Sequence, residues 1–136
     1  MNDAILLAAR IAATGEVDRE SAAWLADGIR RWWRLGDEAA RLPAYLGLPA
    51  TRGRAARGVR DYWLRAAAEE LLPEDRAAHL RQAVMVFLRH RWHLWKGFAV
   101  PPAGSSALDE CLFYAAQSGA EMRLSRRQYC NIVGGK

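Results

Sequence analysis

Residues 74–98, EDRAAHLRQAVMVFLRHRWHLWKGF, decide the fold of this chain, because their apolar side chains recur at the spacing of an α-helix. At about 100° per residue, the apolar side chains fall on one face: Ala77, Leu80, Val84, Phe87, Leu88, Trp95 and Phe98. The opposite face is polar and basic, and consists of His79, Gln82, Arg89, His90, His93 and Lys96. The stretch therefore predicts an amphipathic helix with one face on the core and a solvated, positively charged second face.

Arg91 interrupts the apolar face of this predicted helix. At ideal helical spacing its side chain projects between Phe87 and Trp95. A guanidinium in that position must be paired with a carboxylate or must extend to solvent at the end of the core. Because Glu70 falls on the inner face of the preceding helix, we predict a structural ion pair between Arg91 and Glu70.

Glycine and proline residues divide the rest of the chain into shorter helical segments. Before the central helix, apolar spacing predicts helices over residues 3–14, 18–35 and 54–72, and a helical connector over 37–48 that Pro43 interrupts. On the helix over 54–72, acids and arginines at i, i+4 predict a self-paired outer surface made of Arg57, Asp61, Arg65 and Glu69. Arg60 has no local partner in this scheme. Pro73 predicts a tight reversal, so that this helix and the central one form an antiparallel hairpin.

Two further helices are predicted after the central one. Ser106 is a suitable N-cap for a helix that ends at Gln117. The last helix, residues 125–133, begins with a capping box of Ser125 and Gln128, and Leu124 faces Tyr129 as a hydrophobic staple.

Together these segments predict an all-α fold, a single compact bundle of five to seven helices. A chain of 136 residues, 51% hydrophobic with six tryptophans, is large enough to bury a core without disulfides or metal staples. Cys111 and Cys130 fit small buried hydrophobic residues in such a core. The expected organisation is a bundle core over 1–98, a Pro/Gly linker over 99–106 and a C-terminal helix pair over 107–136.

The sequence predicts a cytoplasmic protein without catalytic function. No apolar run approaches the roughly 18 residues of a membrane span, and the first fifteen residues lack the pattern of a secretory signal. The chain has no glycine-rich phosphate loop, no serine–histidine–acid grouping and no cysteine pair at metal spacing. His90 and His93 lie at i, i+3, but their neighbours Arg89, Arg91 and Lys96 would repel a metal ion. We therefore expect no enzyme activity, no metal, no cofactor and no small-molecule substrate.

Positive charge is concentrated in three blocks of the chain, and the net charge is +5. Residues 39–60 hold five arginines, 76–108 four arginines and a lysine, and 122–136 four basic residues, and none of the three blocks contains an acidic residue. Eighteen of the twenty basic residues are arginine, whose planar fork suits phosphate and carboxylate. An alternative explanation is genomic, since an Ala- and Arg-rich, Lys-poor composition is typical of a GC-rich genome.

Nucleic-acid binding is the more specific functional hypothesis, because it assigns roles to named residues. The last two helices would form a helix-turn-helix unit, whose second helix presents Arg126, Arg127, Gln128 and Asn131 to base edges. The connection between them is longer than the usual turn of such a unit. The other predicted contacts come from the two remaining basic blocks: Arg52, Arg54, Arg57, Arg60, Arg89, His90, His93 and Lys96. If the three blocks share one face, they would neutralise several phosphates, and binding would weaken steeply with salt.

The competing hypothesis is a protein-interaction module. Trp33 and Trp92 each have a neighbouring tryptophan on a different side of the same helix, so that not all of these rings are easily buried. Tryptophan and arginine dominate interface hot spots. An exposed patch of Trp33, Trp92 and nearby arginines would then form a homodimer contact, or an adaptor or inhibitor surface for an acidic or nucleic-acid-binding protein.

Overall fold

All regular structure in the computed structural model, which describes residues 3–36, 41–49 and 51–134, is helical. The prediction of an all-α fold is confirmed. The elements in chain order are α1 (Asp3–Thr14), α2 (Arg19–Leu35), α3 (Leu42–Tyr45), α4 (Arg52–Glu69), α5 (Arg76–Phe87), a π-helical turn (Leu88–Trp92), α6 (His93–Trp95), α7 (Ala107–Gln117) and α8 (Arg126–Val133).

The helix starts predicted from capping residues are confirmed. The Asp18 carboxylate accepts a 2.7 Å hydrogen bond from the Ser21 backbone N–H, which lowers the pKa of Asp18. The Ser106 hydroxyl accepts from the Asp109 N–H at 3.1 Å. Ser125 and Gln128 form the complete capping box at α8. Each cap satisfies a backbone donor that the helix itself leaves free, which is worth about 0.5–2 kcal/mol.

Other boundaries differ from the prediction for local reasons. Asp75 adopts a left-handed conformation with φ of 49°, so the central helix begins after it, at Arg76. The predicted connector 37–48 is helical over Leu42–Tyr45, where Pro43 occupies the first turn, the position in which its missing N–H costs least. Residues 37–40 of that connector, and Gly135 after α8, lie outside the described residues.

Backbone contacts divide the chain into two units, Met1–Ala55 and Ala56–Lys136, with the division inside α4. In the first unit, Gly28 of α2 lies against α3, since an added Cβ would be 2.3 Å from a side-chain carbon of Leu46. The Trp24 indole N–H donates to the Leu46 carbonyl at 2.9 Å, and the Arg31 guanidinium donates to the Tyr45 carbonyl at 3.0 Å. These contacts hold α2 against α3 and bury the side chain of Leu46.

The second unit holds the larger core. Its members come from α4, α5, α7, α8 and the segment before α8: Leu64, Ala67, Ala68, Leu80, Val84, Phe87, Leu112, Phe113, Ala115, Ala116, Met122, Leu124, Tyr129 and Ile132. The predicted inner face of the central helix is thus confirmed at Leu80, Val84 and Phe87, whereas Phe98 is exposed. The Pro/Gly segment 99–106 does not separate two cores, because α7 and α8 pack into the same core as α5.

The π-helical turn Leu88–Trp92 changes the direction of Arg91. A π turn contains more residues than an α turn, so it rotates the following side chains away from their ideal helical positions. Arg91 pairs with Asp109 in the first turn of α7, with 3.1 Å between Nε and Oδ2. The predicted ion pair between Arg91 and Glu70 is therefore wrong. Asp109 is also near the N-terminus of α7, where a carboxylate is favoured by the helix dipole.

Candidate nucleic-acid interface

A groove runs along the outer side of α5 in the second unit, and we call it the α5–α8 groove. One part is lined by α5 residues, including His79 and Arg81, together with Arg126 of α8. The other part is lined by Val86, Arg89, His90 and Arg123. Gln82 and Met85 line both parts, so the two adjoin each other.

Helix periodicity explains the α5 wall of this groove. Positions 78, 82, 85 and 89 recur three or four residues apart, position 86 is next to 85, and all five lie opposite the buried Leu80, Val84 and Phe87. The polar face predicted for the central helix therefore faces the groove at His79, Gln82, Arg89 and His90.

The opposite wall depends on how α8 and the segment before it are held. α8 packs mainly against α5, and its Tyr129 and Ile132 are buried in the core. The Tyr129 hydroxyl donates to the Met122 carbonyl, and burial raises the pKa of Tyr129, so the hydroxyl keeps its proton. The Glu121 carboxylate accepts a 2.8 Å hydrogen bond from the Arg123 N–H. These bonds fix the segment that carries Arg123 beside α5.

The groove is strongly positive because its arginines are not neutralised. No described residue makes an ion pair or a hydrogen bond with the guanidinium group of Arg81, Arg89, Arg123 or Arg126. All four are exposed. Asp75 is the acidic residue in the groove lining, at the end near His79. Exposed guanidinium groups without partners are suited to contact phosphate oxygens.

The structure brings together only part of the predicted binding set. Arg89, His90 and Arg126 line the groove, although Arg126 belongs to a different basic block from the other two. The remaining exposed members lie outside its lining: Arg52, Arg54, Arg57, His93, Lys96, Arg127, Gln128 and Asn131. The side-chain oxygen of Gln128 accepts from the Ser125 N–H at 2.9 Å, so this oxygen is occupied by the helix cap.

The prediction that Arg60 is a nucleic-acid contact is corrected, because its side chain is buried and the residue is only 7% exposed. Its Nε and Nη2 contact Asp61 Oδ1 at 2.9 and 2.8 Å, and Nη1 donates to the Glu121 carbonyl at 2.9 Å. The predicted i, i+4 pairs of α4 are also replaced, since Arg65 donates to the Ile132 carbonyl at 3.1 Å. Arg60 therefore anchors the segment before α8 instead of facing solvent.

α8 is not positioned by a helix-turn-helix pairing with α7. Its principal helix contact is α5, which is distant in sequence, and not the preceding α7. As a result, the arginines that share a surface come from α5, the segment before α8 and the first turn of α8. Arg81 and Arg123 were not among the predicted contacts. Arg123 lies two residues before the Ser125 cap, and a cation next to the positive potential of a helix N-terminus is the sequence signal that could have indicated an anion contact there.

The two predicted interface tryptophans have different surroundings. Trp33 of α2 is 74% exposed. Trp92 is partly buried, with its ring 6.3 Å from that of Phe87 and 5.8 Å from that of Phe113. Its position is the rim of the core of the second unit, not an exposed anchor.

The two cysteines also differ. Cys111 is partly buried, and burial, followed by the charges of Glu70 and Glu110, raises its pKa to about 11. Cys130 is exposed on α8, so the prediction that both are buried is wrong for Cys130. Because the thiolate is the reactive form, we expect a thiol reagent at neutral pH to label Cys130 first and Cys111 only after unfolding. Mass spectrometry of peptides after timed labelling measures both rates, and equal rates would contradict this assignment.

Comparisons with protein-family models, with curated proteins and with solved structures found no match for this chain. Within the described ranges, no helix is both long enough and apolar enough to cross a membrane. The same residues contain no cluster of three or more histidine, cysteine, aspartate or glutamate side chains placed to hold a metal ion. Function is therefore inferred from the surface of the molecule.

Proposed function

We propose that this protein binds nucleic acid without catalysing a reaction, and that the α5–α8 groove holds the phosphate backbone. One observation carries the proposal: four exposed arginines with unpaired guanidinium groups, from separate parts of the sequence, line the two adjoining parts of the groove, namely Arg81, Arg89, Arg123 and Arg126. Phosphate contacts supply most of the affinity of sequence-independent binding. The apolar floor of Met85 and Val86 gives sugars and bases a surface to lie against.

The salt dependence of binding tests the proposal. Each phosphate contact releases condensed counterions, so affinity falls as salt is added. With four such contacts, raising salt from about 50 to about 200 mM should weaken binding roughly 50-fold for a single strand and roughly 150-fold for a duplex. Fluorescence anisotropy of labelled oligonucleotides gives the dissociation constant at each salt concentration. The absence of binding to either form at the lower salt concentration would refute the proposal.

A protein-interaction function is the second candidate, and it rests on the first unit. Trp33 and Leu35 are 74% and 72% exposed at the end of α2. The same unit has an apolar pocket of about 540 Å³, lined by Trp32, Leu42, Pro43, Leu48 and Pro49 and flanked by Arg41 and Arg52. A partner that offers an apolar side chain among carboxylates would complement such a surface.

Sedimentation of the full chain from low to high micromolar concentration tests the homodimer form of this candidate. If Trp33 is a contact between copies, the protein dimerises and Trp33→Ser shifts it toward the monomer. Arg30→Ser, an exposed change on the same helix, is the matched control. A monomer at all concentrations would contradict the homodimer.

A further inference from the structure

We propose that the α5–α8 groove leads into a notch that receives an unpaired nucleobase, so that the nucleic acid bound is single-stranded. This inference rests on the proposed function and specifies its substrate class. The notch lies in the second unit, has a volume of about 520 Å³, and is lined by Leu88, Trp92, Ala116, Gly119 and Ala120. Arg123 lines both the notch and the groove, so the two are adjacent.

Trp92 gives the notch a rigid aromatic wall. Its ring is tilted by 31° against Phe87 and meets Phe113 edge-on at 70°. These contacts fix the ring before any ligand binds, so little side-chain freedom is lost on binding. Stacking of a base on an aromatic side chain is worth about 1–3 kcal/mol, and it tolerates any base.

Small residues keep the space beside this ring open. A Cβ added to Gly119 would meet no atom within 4 Å. Gly119 has a φ of +84°, which favours glycine, and the neighbouring walls are the alanines Ala116 and Ala120. The wall around the ring is therefore apolar at Ala116, Gly119 and Ala120 and leaves room for a flat ring, while Glu121 and Arg123 line the remainder of the notch.

A base in a duplex cannot enter this notch while it is paired and stacked. Extruding it would cost a few kcal/mol, and this cost is smallest for a single strand, which has no base pair to break. Phosphates on Arg89 and Arg123 would place the backbone at the mouth of the notch. The combination of the basic α5–α8 groove with an aromatic wall in the notch thus favours a single strand over a duplex.

Glu121 at the notch supplies a preference among bases. One of its carboxylate oxygens accepts from the Arg123 N–H, and the other makes no hydrogen bond or ion pair with any described residue. That second oxygen can accept from the exocyclic amino group of cytosine. Thymine and uracil present a carbonyl oxygen at the same position, which a carboxylate repels. We therefore expect cytosine to bind more tightly than thymine or uracil.

Anisotropy titrations with labelled oligomers test this inference. The labelled oligomers are dC, dT and rC single strands of equal length and a duplex hairpin of the same charge. We expect the single strands to bind at least tenfold more tightly than the hairpin and dC more tightly than dT. The rC arm distinguishes RNA from DNA as the source of the base. Equal affinity for single strand and hairpin would overturn the inference while leaving the proposed function intact.

Two variants test the notch itself. Ala120→Leu fills it and should weaken single-strand binding roughly tenfold, the equivalent of one lost stacking contact, with hairpin binding unchanged. Ala103→Leu, on the exposed linker, is the matched control.

Glu121→Gln keeps an oxygen for the Arg123 N–H, so the fold is preserved. This variant should raise the affinity for dT and reduce the preference for dC. If neither variant changes binding while groove arginine variants weaken it, the notch is not a base site. If no oligomer binds at low salt, the proposed function fails as well.

Discussion

Replacing both Arg89 and Arg123 with glutamate is expected to reduce nucleic-acid affinity on the order of 100-fold or more at low salt. The two side chains line the same part of the groove, although one belongs to the π-helical turn and the other to the segment before α8. Each substitution removes an attraction to phosphate and adds a repulsion. Anisotropy with a single-stranded oligomer measures the loss, and the slope of log affinity against log salt should fall by about two or more.

A control with the same change in net charge makes this test specific for the groove. Arg57 and Arg127 are exposed and lie outside the groove lining. Arg57→Glu combined with Arg127→Glu should therefore weaken binding only slightly. Arg127 also belongs to the predicted helix-turn-helix contacts, so the two double variants separate the two binding surfaces. Equal losses in both would mean that binding follows net charge and not the groove.

Part of this surface follows from the sequence, because α5 is regular and Arg89 and His90 of the π-helical turn still lie on its outer side. The helical period of residues 74–98 places His79, Gln82, Arg89 and His90 opposite Leu80, Val84 and Phe87, and the structure has the same arrangement. The period is a local property that neighbouring residues determine among themselves. The outer face of the central helix could therefore be predicted without knowledge of its neighbours.

The position of the second wall could not be predicted in this way. α7 precedes α8 in the chain, and adjacency suggests that they pair, but the apolar face of α8 packs on α5. The packing partner of α8 depends on which buried surface Tyr129 and Ile132 complement. This is a property of the tertiary structure, and the periodicity of a single helix does not reveal it. Arg126 therefore lines the same part of the groove as Arg81, which is not apparent from sequence spacing.

Two arginines show where ideal helix geometry fails as a guide. Arg91 would point into the core of a regular α-helix, but the π-helical turn redirects it to Asp109. Arg60 has no i, i+4 partner in the sequence and was expected to be free. Instead it is buried against Asp61 and the Glu121 carbonyl, because the segment before α8 covers it. In both cases a partner distant in sequence determines the surroundings of the charge.

Arg60→Met is accordingly expected to destabilise the protein by about 2–4 kcal/mol. The substitution retains a long apolar side chain but leaves Asp61 and the Glu121 carbonyl without their partner. The loss should be below that of a fully buried pair, because the Asp61 side chain is 28% exposed and keeps contact with water. Chemical denaturation followed by far-UV circular dichroism measures the free energy of unfolding. Arg57→Met, on the exposed side of the same helix, should stay within about 0.5 kcal/mol of the parent.

The same variant links the fold to the proposed binding surface. Arg60 holds the backbone of Glu121, and Glu121 in turn accepts from the Arg123 N–H, so removing the guanidinium should loosen the segment that carries Arg123. Hydrogen exchange at Arg123 and Leu124 should then accelerate under conditions in which the protein remains folded. Nucleic-acid affinity should fall although Arg60 itself contacts no phosphate. If stability falls while both exchange and affinity are unchanged, the groove does not depend on this anchor.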